Sequence, residues 1–210
     1  IRPDRQTMLF SATFPQAVEK LARGVLTKPV QIIAGGVSVV SNTIEQHVEV
    51  LPTEGKLPRL CAILRQYFDD GQQLVFVDTQ EACDSLFRGL LKNNMPCATL
   101  HGGMAQDDRD NTISDFKSGN VMLLVATSVA ARGLDVKGLA LVVNYEVPNH
   151  YEDYVHRVGR TGRAGNSGTA YTFLCPDEDK YAPDLVRAME AAGQEPPDEV
   201  VGMANAYIDK

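Results

Sequence analysis

Short apolar runs alternate with longer amphipathic stretches through the middle of the 210-residue chain. Several of these runs are apolar at successive positions, which is typical of parallel strands that are covered by helices on both faces. The apolar runs predict strands at residues 47–51, 74–78, 97–100, 121–126, 140–145 and 170–174. The stretches between them predict helices at residues 57–68, 81–93, 106–117 and 151–158. This repeated order predicts an α/β fold, an open parallel sheet with helices on both faces.

The two ends of the chain have a different pattern. Residues 6–10 form a strand-like run, and residues 18–26 have the apolar spacing of an amphipathic helix. A glycine-containing segment at residues 34–38 is interpreted as a linker. Near the other end, the sequence predicts an acidic helix over residues 176–192 and another helix that starts at residues 196–198.

Charge is distributed unevenly along the chain. The net charge is −7; residues 176–210 carry −6 of it, from nine acids and three bases, and the remaining 175 residues carry −1. The acidic total therefore does not exclude a basic groove for nucleic acid, because binding depends on the local field. With no apolar run of about 18 residues and no N-terminal signal pattern, we expect an intracellular protein without a membrane span. The four cysteines form no C-x-x-C pair, so they predict neither a zinc site nor disulfides.

Hydroxyl groups and glycines follow three of the predicted strands. The carboxyl ends of parallel strands lie at the same edge of a sheet, so the residues that follow them, here called the strand exits, should lie close together. Each exit precedes a helix N-terminus, which favours anions. We therefore expect the exits to bind a line of phosphates such as a nucleic-acid strand. Gln106 and Arg109 extend this edge. Each signal also has a plainer interpretation, as a helix N-cap, a turn or a local ion pair of Arg109. The exit residues are Thr79 after the second strand, His101, Gly102 and Gly103 after the third, and Thr127 and Ser128 after the fourth.

Residues 154–163 read Tyr-Val-His-Arg-Val-Gly-Arg-Thr-Gly-Arg. Gly159 and Gly162 each cost a helix about 1 kcal/mol relative to Ala, so this segment is not an ordinary solvated helix face. Arg160 and Arg163 lie three positions apart and project from the same side of a helical turn. Their guanidinium groups suit a polyphosphate whose charge grows in a transition state. A surface basic cluster that pairs with nearby acids is the alternative.

Arg132 and Asp135 continue the exit of the fourth predicted strand. Arg132 offers a fork of donors, and Asp135 can accept a hydrogen bond from a ribose hydroxyl. A buried ion pair between these two residues is an alternative that does not exclude the first interpretation.

Taken together, these motifs resemble the DEAD-box RNA helicases in order and in spacing. The resemblance covers about residues 6–193, and the form His-Arg-x-Gly-Arg-Thr-Gly-Arg at residues 156–163 separates this family from its DEAH relatives. The matching segments are Ser11-Ala12-Thr13, 74–79, His101-Gly102, Gln106-x-x-Arg109, 127–135, Val142-Val143-Asn144-Tyr145-x-x-Pro148 and 156–163. The resemblance implies the last strand and helix of a first RecA-like domain at 1–33, a linker at 34–42, a second RecA-like domain at 43–193, and a C-terminal helical extension at 194–210.

The resemblance also implies a role for each matching residue. Arg160 and Arg163 are implied to be arginine fingers that act on ATP. His156 and Arg157 are implied to join two RecA-like domains around ATP, and Asp135 is implied to contact the ribose. The residues implied to bind the RNA backbone are Thr79, Gly102, Arg109 and Thr127. The residues implied to couple hydrolysis to domain closure are Ser11, Thr13 and Arg132.

The chain departs from the family pattern in two respects. Ser128 follows Thr127 where the family usually has Asp, so a role that rests on that carboxylate is not carried over. The sequence contains neither a Gly-x-x-x-x-Gly-Lys-Thr loop nor Asp-Glu-Ala-Asp. The phosphate cradle and the Mg²⁺ ligands are therefore expected in the N-terminal RecA-like domain. We expect these 210 residues alone to be inactive, and the full-length protein to hydrolyse ATP when stimulated by RNA.

Two functions stay open at this point. The leading hypothesis is the C-terminal half of an ATP-dependent RNA helicase that unwinds RNA or remodels ribonucleoproteins, and the alternative is a non-catalytic RecA-like module that docks RNA or protein. Residues 126–132 and 148–154 resemble the branch that remodels the early spliceosome, which implies pre-mRNA splicing, spliceosomal protein partners and a nuclear location. Residues 1–33 are implied to carry apolar surface of an absent domain. They are expected to fray, to fold back, or to pair with a second copy, and we favour the dimer.

Overall fold

The chain divides into two structural units, Ile1–Val39 and Val40–Lys210. The computed structural model describes residues 2–11, 16–32, 39–131, 134, 136, 139–162 and 167–210. The first unit contains helix α1 (Gln16–Val25), as its amphipathic pattern predicts. The strand predicted at residues 6–10 does not form, and that prediction is wrong. A strand needs a neighbouring backbone to satisfy its N–H and C=O groups, whereas Met8 and Phe10 are 69% and 88% exposed.

Strands and helices alternate through most of the second unit. Its strands are β1 (Ile44–Val50), β2 (Gln73–Val77), β3 (Ala98–Leu100), β4 (Leu123–Thr127), β5 (Leu141–Asn144) and β6 (Gly168–Leu174). Its helices are α2 (Thr53–Gln66), α3 (Gln80–Lys92), α4 (Gln106–Ser118), α5 (Tyr151–Val158), α6 (Ala182–Ala191) and α7 (Asp198–Ile208), with a 3-10 turn at Asp179–Tyr181. In the part of the chain that the structure describes, no helix has the length and apolar character needed to cross a membrane.

The six strands form one sheet in the order β1-β6-β5-β2-β4-β3, and every neighbouring pair is parallel. Both faces of its central strands are buried. Leu74, Phe76 and Leu124 pack in the apolar cluster on one face, and Val75 and Val125 pack in the cluster on the other. The predicted α/β fold is therefore confirmed, and the sheet gives a rigid frame for the loops that follow its strands.

The C-terminal segment differs from its prediction at its start. The acidic helix predicted over residues 176–192 begins only at Ala182. Before it, the carboxylate of Glu178 accepts a hydrogen bond from the backbone N–H of Cys175 at 2.7 Å, which holds a turn. Pro183 has no N–H and is tolerated in the first turn of a helix, where that donor has no intrahelical partner.

Helix α7 starts after the two prolines as predicted, and it packs in the same apolar cluster as α5, α6 and β1. Gln194 lies before it and binds the outer edge of β1. Its Nε2 donates to the carbonyl of Ile44 at 2.6 Å, and its Oε1 accepts from the N–H of Gln46 at 2.8 Å. One side chain thus covers part of the unpaired edge of the sheet.

Candidate functional site

The carboxyl ends of β5, β2, β4 and β3 lie side by side in the sheet. Val77 pairs in register with Thr127, and Leu100 pairs with Ala126. The exits of β2, β3 and β4 are therefore brought together at one edge, in the arrangement that the sequence pattern implies.

Thr79 is the N-cap residue of α3. Its backbone is extended, with φ −118° and ψ 163°, and its Oγ1 accepts a hydrogen bond from the N–H of Ala82 at 3.0 Å. A capping hydroxyl uses an oxygen lone pair and keeps its O–H hydrogen. The exposed Thr79 can thus cap the helix and donate to a ligand at the same time.

The turn after β3 is built around a buried His101. Its Nε2 lies 3.3 Å from Asp84 Oδ1, and its Nδ1 accepts from the N–H of Gly103 at 3.2 Å. The side chain of Gln80 lies over this turn, because a Cβ on Gly103 would stand 2.4 Å from Gln80 Oε1. Gly102 is exposed beside it, so its backbone is open to a ligand. Sequence reasoning did not select Gln80.

Arg109 and Thr127 are the other two predicted RNA contacts. Arg109 lies in the first turn of α4 and is half-buried, and its Nε is buried without a hydrogen-bond partner in the described parts of the chain. Thr127 is the last residue of β4 and is 8% exposed. Its carbonyl accepts from the N–H of Ala131 at 3.0 Å, which turns the chain away from the sheet.

Arg157 is buried at the centre of this edge, with 5% exposure. Its Nη2 donates to Asp78 Oδ1 at 2.6 Å, its Nε to Ser128 Oγ at 2.7 Å, and its Nη1 to the carbonyl of Glu146 at 2.8 Å. The carbon of its guanidinium group lies 5.3 Å from the centre of the Phe76 ring. These contacts all lie within the second unit, and the role of Arg157 in joining two domains, which the resemblance implies, stays a prediction.

Asp78 and Glu146 were not among the sequence-predicted site residues. Each follows a buried apolar strand at its carboxyl end, and that position is the signal that could have identified them. The carboxylate of Glu146 accepts from the backbone N–H of Asp78 at 2.6 Å. The loops after β2 and β5 are therefore joined directly by this hydrogen bond, in addition to their contacts with Arg157.

Helix α5 holds His156 exposed and ends at Val158, so Arg160 lies just beyond the helix. Nη1 of Arg160 donates to the carbonyl of Leu134 at 3.2 Å. A small cavity of about 40 Å³ opens beside it. The cavity is lined by Phe76, Ser128, Ala131, Asp153, His156, Arg157 and Arg160.

The backbone after Arg160 is held closely. The hydroxyl of Thr161 donates to the carbonyl of Leu139, and Gly162 has φ +61°, a left-handed conformation that favours glycine. A Cβ on Gly168 would lie 2.1 Å from Thr161 Oγ1, so the start of β6 leaves no room for a side chain there.

Four of the predicted site residues lie outside the described part of the chain: Thr13, Arg132, Asp135 and Arg163. The predicted same-side arrangement of Arg160 and Arg163 falls outside it for the same reason. Ser11 belongs to the first unit and is exposed.

Comparison with known proteins gives the family to which this fold belongs. Residues 55–165, more than half of the chain, match the model of the helicase conserved C-terminal domain family. The chain belongs to that family.

The chain is also similar in sequence to proteins that are named ATP-dependent RNA helicases. The chain is 59% identical over 209 residues to DEAD-box ATP-dependent RNA helicase 42 of Oryza sativa subsp. japonica, covering 100% of this chain and 20% of that protein. It is 54% identical over 215 residues to the pre-mRNA-processing ATP-dependent RNA helicase prp5 of Emericella nidulans, covering 100% of this chain and 18% of that protein. The chain thus spans about a fifth of the length of these relatives.

Solved structures agree with this class. S. cerevisiae Dbp5 bound to RNA and ADP BeF3 has a TM-score of 0.82 at 27% identity, covering 98% of this chain and 56% of that chain. The yeast DEAD-box splicing factor Prp28 has a TM-score of 0.71 at 33% identity, covering 96% of this chain and 45% of that chain. The chain therefore has the RecA-like fold of a helicase C-terminal domain, and DEAD-box proteins are among its relatives.

Proposed function

We propose that the full-length protein containing this chain is an ATP-dependent RNA helicase, and that the chain supplies part of its RNA-backbone site and its arginine fingers. The observation that carries the proposal is the arrangement at the carboxyl edge of the sheet. The exits at Thr79, Gly102 and Thr127 lie side by side, and α5 brings His156 and Arg160 to a cavity that Ser128 also lines.

The RNA side of the proposal uses groups that recognise the backbone. The hydroxyls of Thr79 and Thr127, the exposed backbone of Gly102 and the guanidinium of Arg109 are donors suited to phosphate oxygens. None of these groups depends on the identity of a base. The proposed binding is therefore independent of RNA sequence.

The nucleotide side uses Arg160 and Arg163 to stabilise negative charge on a polyphosphate, with Asp135 as the contact to ribose and His156 close to the phosphates. The half-exposed Arg160 and the exposed His156 place a cationic and a polar donor beside one cavity, and donors of this kind suit phosphate oxygens. ATP supplies the phosphoryl group that is transferred to water. The Mg²⁺ ligands belong in this proposal to the N-terminal RecA-like domain of the same protein.

Arg160 acts in the proposal on charge that develops in the transition state, because the guanidinium is held by the Leu134 carbonyl close to the cavity. Closure of the N-terminal RecA-like domain against this chain would complete the site. Ser11, Thr13 and Arg132 are proposed to couple hydrolysis to that closure.

The proposed process is pre-mRNA splicing, with spliceosomal proteins as partners and the nucleus as location. Two similar proteins support this proposal by their names: prp5 of Emericella nidulans is a pre-mRNA-processing helicase, and yeast Prp28 is a DEAD-box splicing factor. The activity in that process is the unwinding of RNA or the remodelling of ribonucleoproteins.

ATP turnover by the full-length protein, measured with and without single-stranded RNA, tests the proposal. We expect turnover that rises with RNA and strand separation of a short RNA duplex that requires ATP. The 210-residue chain alone is expected to bind nucleotide weakly and to show no significant turnover. A full-length protein that binds RNA but hydrolyses no ATP would instead be a docking module.

A further inference from the structure

A single buried side chain joins three loops of the site to the helix that carries Arg160. Arg157 uses its three nitrogens on the exits of β2, β4 and β5, through Asp78, Ser128 and the carbonyl of Glu146. The Phe76 ring covers one face of the guanidinium. These contacts connect the three loops to α5.

A buried guanidinium needs a negative partner, because an unpaired charge in the protein interior is strongly unfavourable. The side-chain exposure of Arg157 is 5%, and that of Asp78 is 31%. Ser128 is neutral. Glu146 accepts from Arg157 through its backbone carbonyl, and the Glu146 carboxylate accepts instead from the backbone N–H of Asp78. Asp78 is therefore the carboxylate that pairs with Arg157.

We infer that Asp78 is the counter-ion of Arg157, and that this pair makes Arg157 a positioning residue between the RNA-backbone exits and Arg160. The 2.7 Å contact from Nε to Ser128 Oγ shows that a side chain at position 128 reaches the same guanidinium. In this chain the charged contact to the guanidinium comes from the exit of β2, and the contact from the exit of β4 is neutral. The inference rests on the proposed function.

The location of this pair gives it a functional consequence. Asp78 directly precedes Thr79, and Ser128 directly follows Thr127, so the two side chains that accept hydrogen bonds from Arg157 adjoin proposed RNA contacts. Arg157 in turn lies three residues before Arg160. Binding of RNA at the exits is thereby transmitted to the arginine that acts on the nucleotide, and the charged connection runs through the exit of β2.

The test uses four variants of the full-length protein: D78N, S128D, the double variant D78N/S128D, and E49Q as a matched control. E49Q removes the carboxylate of another hydrogen-bonded Arg–carboxylate pair, Arg59–Glu49, whose side chains are 40% and 25% exposed and lie away from the site. RNA-stimulated and basal ATP turnover are measured for each, together with the RNA concentration for half-maximal stimulation and the unfolding temperature.

D78N should lower the ratio of RNA-stimulated to basal turnover about tenfold, as expected for the loss of one charge-assisted hydrogen bond. The double variant should recover most of that ratio, because Asp at position 128 returns a carboxylate to the guanidinium. E49Q should keep the wild-type ratio. If D78N does not fold, recovery of a folded and RNA-stimulated double variant supports the inference equally.

Several results would overturn the inference. One is a D78N protein with an unchanged ratio, even if its unfolding temperature falls, because a merely structural pair behaves in that way. Another is a double variant that is no better than D78N, folded or not. A wild-type protein without RNA-stimulated turnover would reject the proposed function instead, so the two failures are distinguishable.

Discussion

The hydroxyl of Tyr154 ties helix α5 to strand β1, and its removal should destabilise the second unit measurably. Tyr154 and Gln46 are 2% and 3% exposed, and the Tyr154 O–H donates to Gln46 Oε1 at 2.8 Å. Nε2 of Gln46 is buried without a hydrogen-bond partner in the described residues, so the amide depends on this contact. Replacing Tyr154 with Phe deletes the donor and keeps the ring.

The cost has two parts. The lost buried hydrogen bond contributes about 1 kcal/mol net, and the acceptor left buried without a donor adds about 1 kcal/mol or more. We therefore expect Tyr154→Phe to lower the free energy of unfolding by about 2 kcal/mol, or the unfolding temperature by roughly 4–8 °C for a chain of this size. Replacing Gln46 with Met in the same protein should recover part of that loss, because no polar group is then left unpaired.

Urea and thermal unfolding of the wild type and the variants measure these values. The control is Tyr181→Phe, since the Tyr181 hydroxyl donates to Asn149 Oδ1 at 2.6 Å at an exposed position, where water replaces the lost partner. We expect a change below about 0.5 kcal/mol for that control. Equal losses for the two tyrosines would refute the reasoning, because burial would then not set the cost.

The same hydroxyl predicts a pH dependence. Burial raises the pKa of Tyr154 above its ordinary value, and Thr172 nearby offsets this only in part. The folded protein therefore keeps a proton that the unfolded chain loses at about pH 10. The stabilisation by the hydroxyl is fully present below that pH and is lost as the pH rises further. The difference in stability between wild type and Tyr154→Phe should shrink above about pH 10.

Three further predictions concern other parts of the chain. Burial raises the pKa of Cys83 to about 11 and that of Cys97 to about 12. We therefore expect both thiols to react with an aromatic disulfide reagent at pH 8 far more slowly in the native protein than in protein unfolded by urea, and equal rates would contradict this. Replacing the three exposed acids at residues 195–199 by amides should leave RNA affinity unchanged or slightly higher at low salt, and a several-fold loss would reveal a binding role for them. Light scattering should show a concentration-dependent dimer for the chain that includes residues 1–33 and a monomer for one that starts at Asn42, whereas two monomers of equal thermal stability would rule out that pairing.

Strands with two buried faces could be predicted closely from the sequence, and strands with buried polar residues could not. β4 was predicted within two residues at its start and one at its end because its apolar run is continuous. The start of β1 was predicted three residues late, because Ile44 is followed by Glu45 and Gln46. Gln46 is buried all the same, since Gln194 and Tyr154 bind its backbone and side chain across a sequence separation that no local pattern reveals.

The candidate site shows the same division. The exits at Thr79, Gly102 and Thr127 follow from strand order alone, because parallel strands end at one edge. The surroundings of Arg157 do not follow, since its partner Asp78 lies 79 positions away and reads as the last residue of a strand. The sequence motif also does not indicate that Arg157 is buried whereas its neighbour His156 is exposed.

The central claim is that this edge of the sheet separates residues that act on ATP from residues that hold RNA. The most direct test compares Arg160→Ala with Arg109→Ala in the full-length protein, by steady-state ATP turnover and by RNA binding in fluorescence anisotropy. Arg160→Ala should lower kcat by about 10³-fold or more, as arginine fingers do, and leave RNA affinity largely intact. Arg109→Ala should weaken RNA binding and leave kcat at saturating RNA near the wild-type value. Loss of RNA binding in Arg160→Ala with unchanged basal turnover would contradict the account.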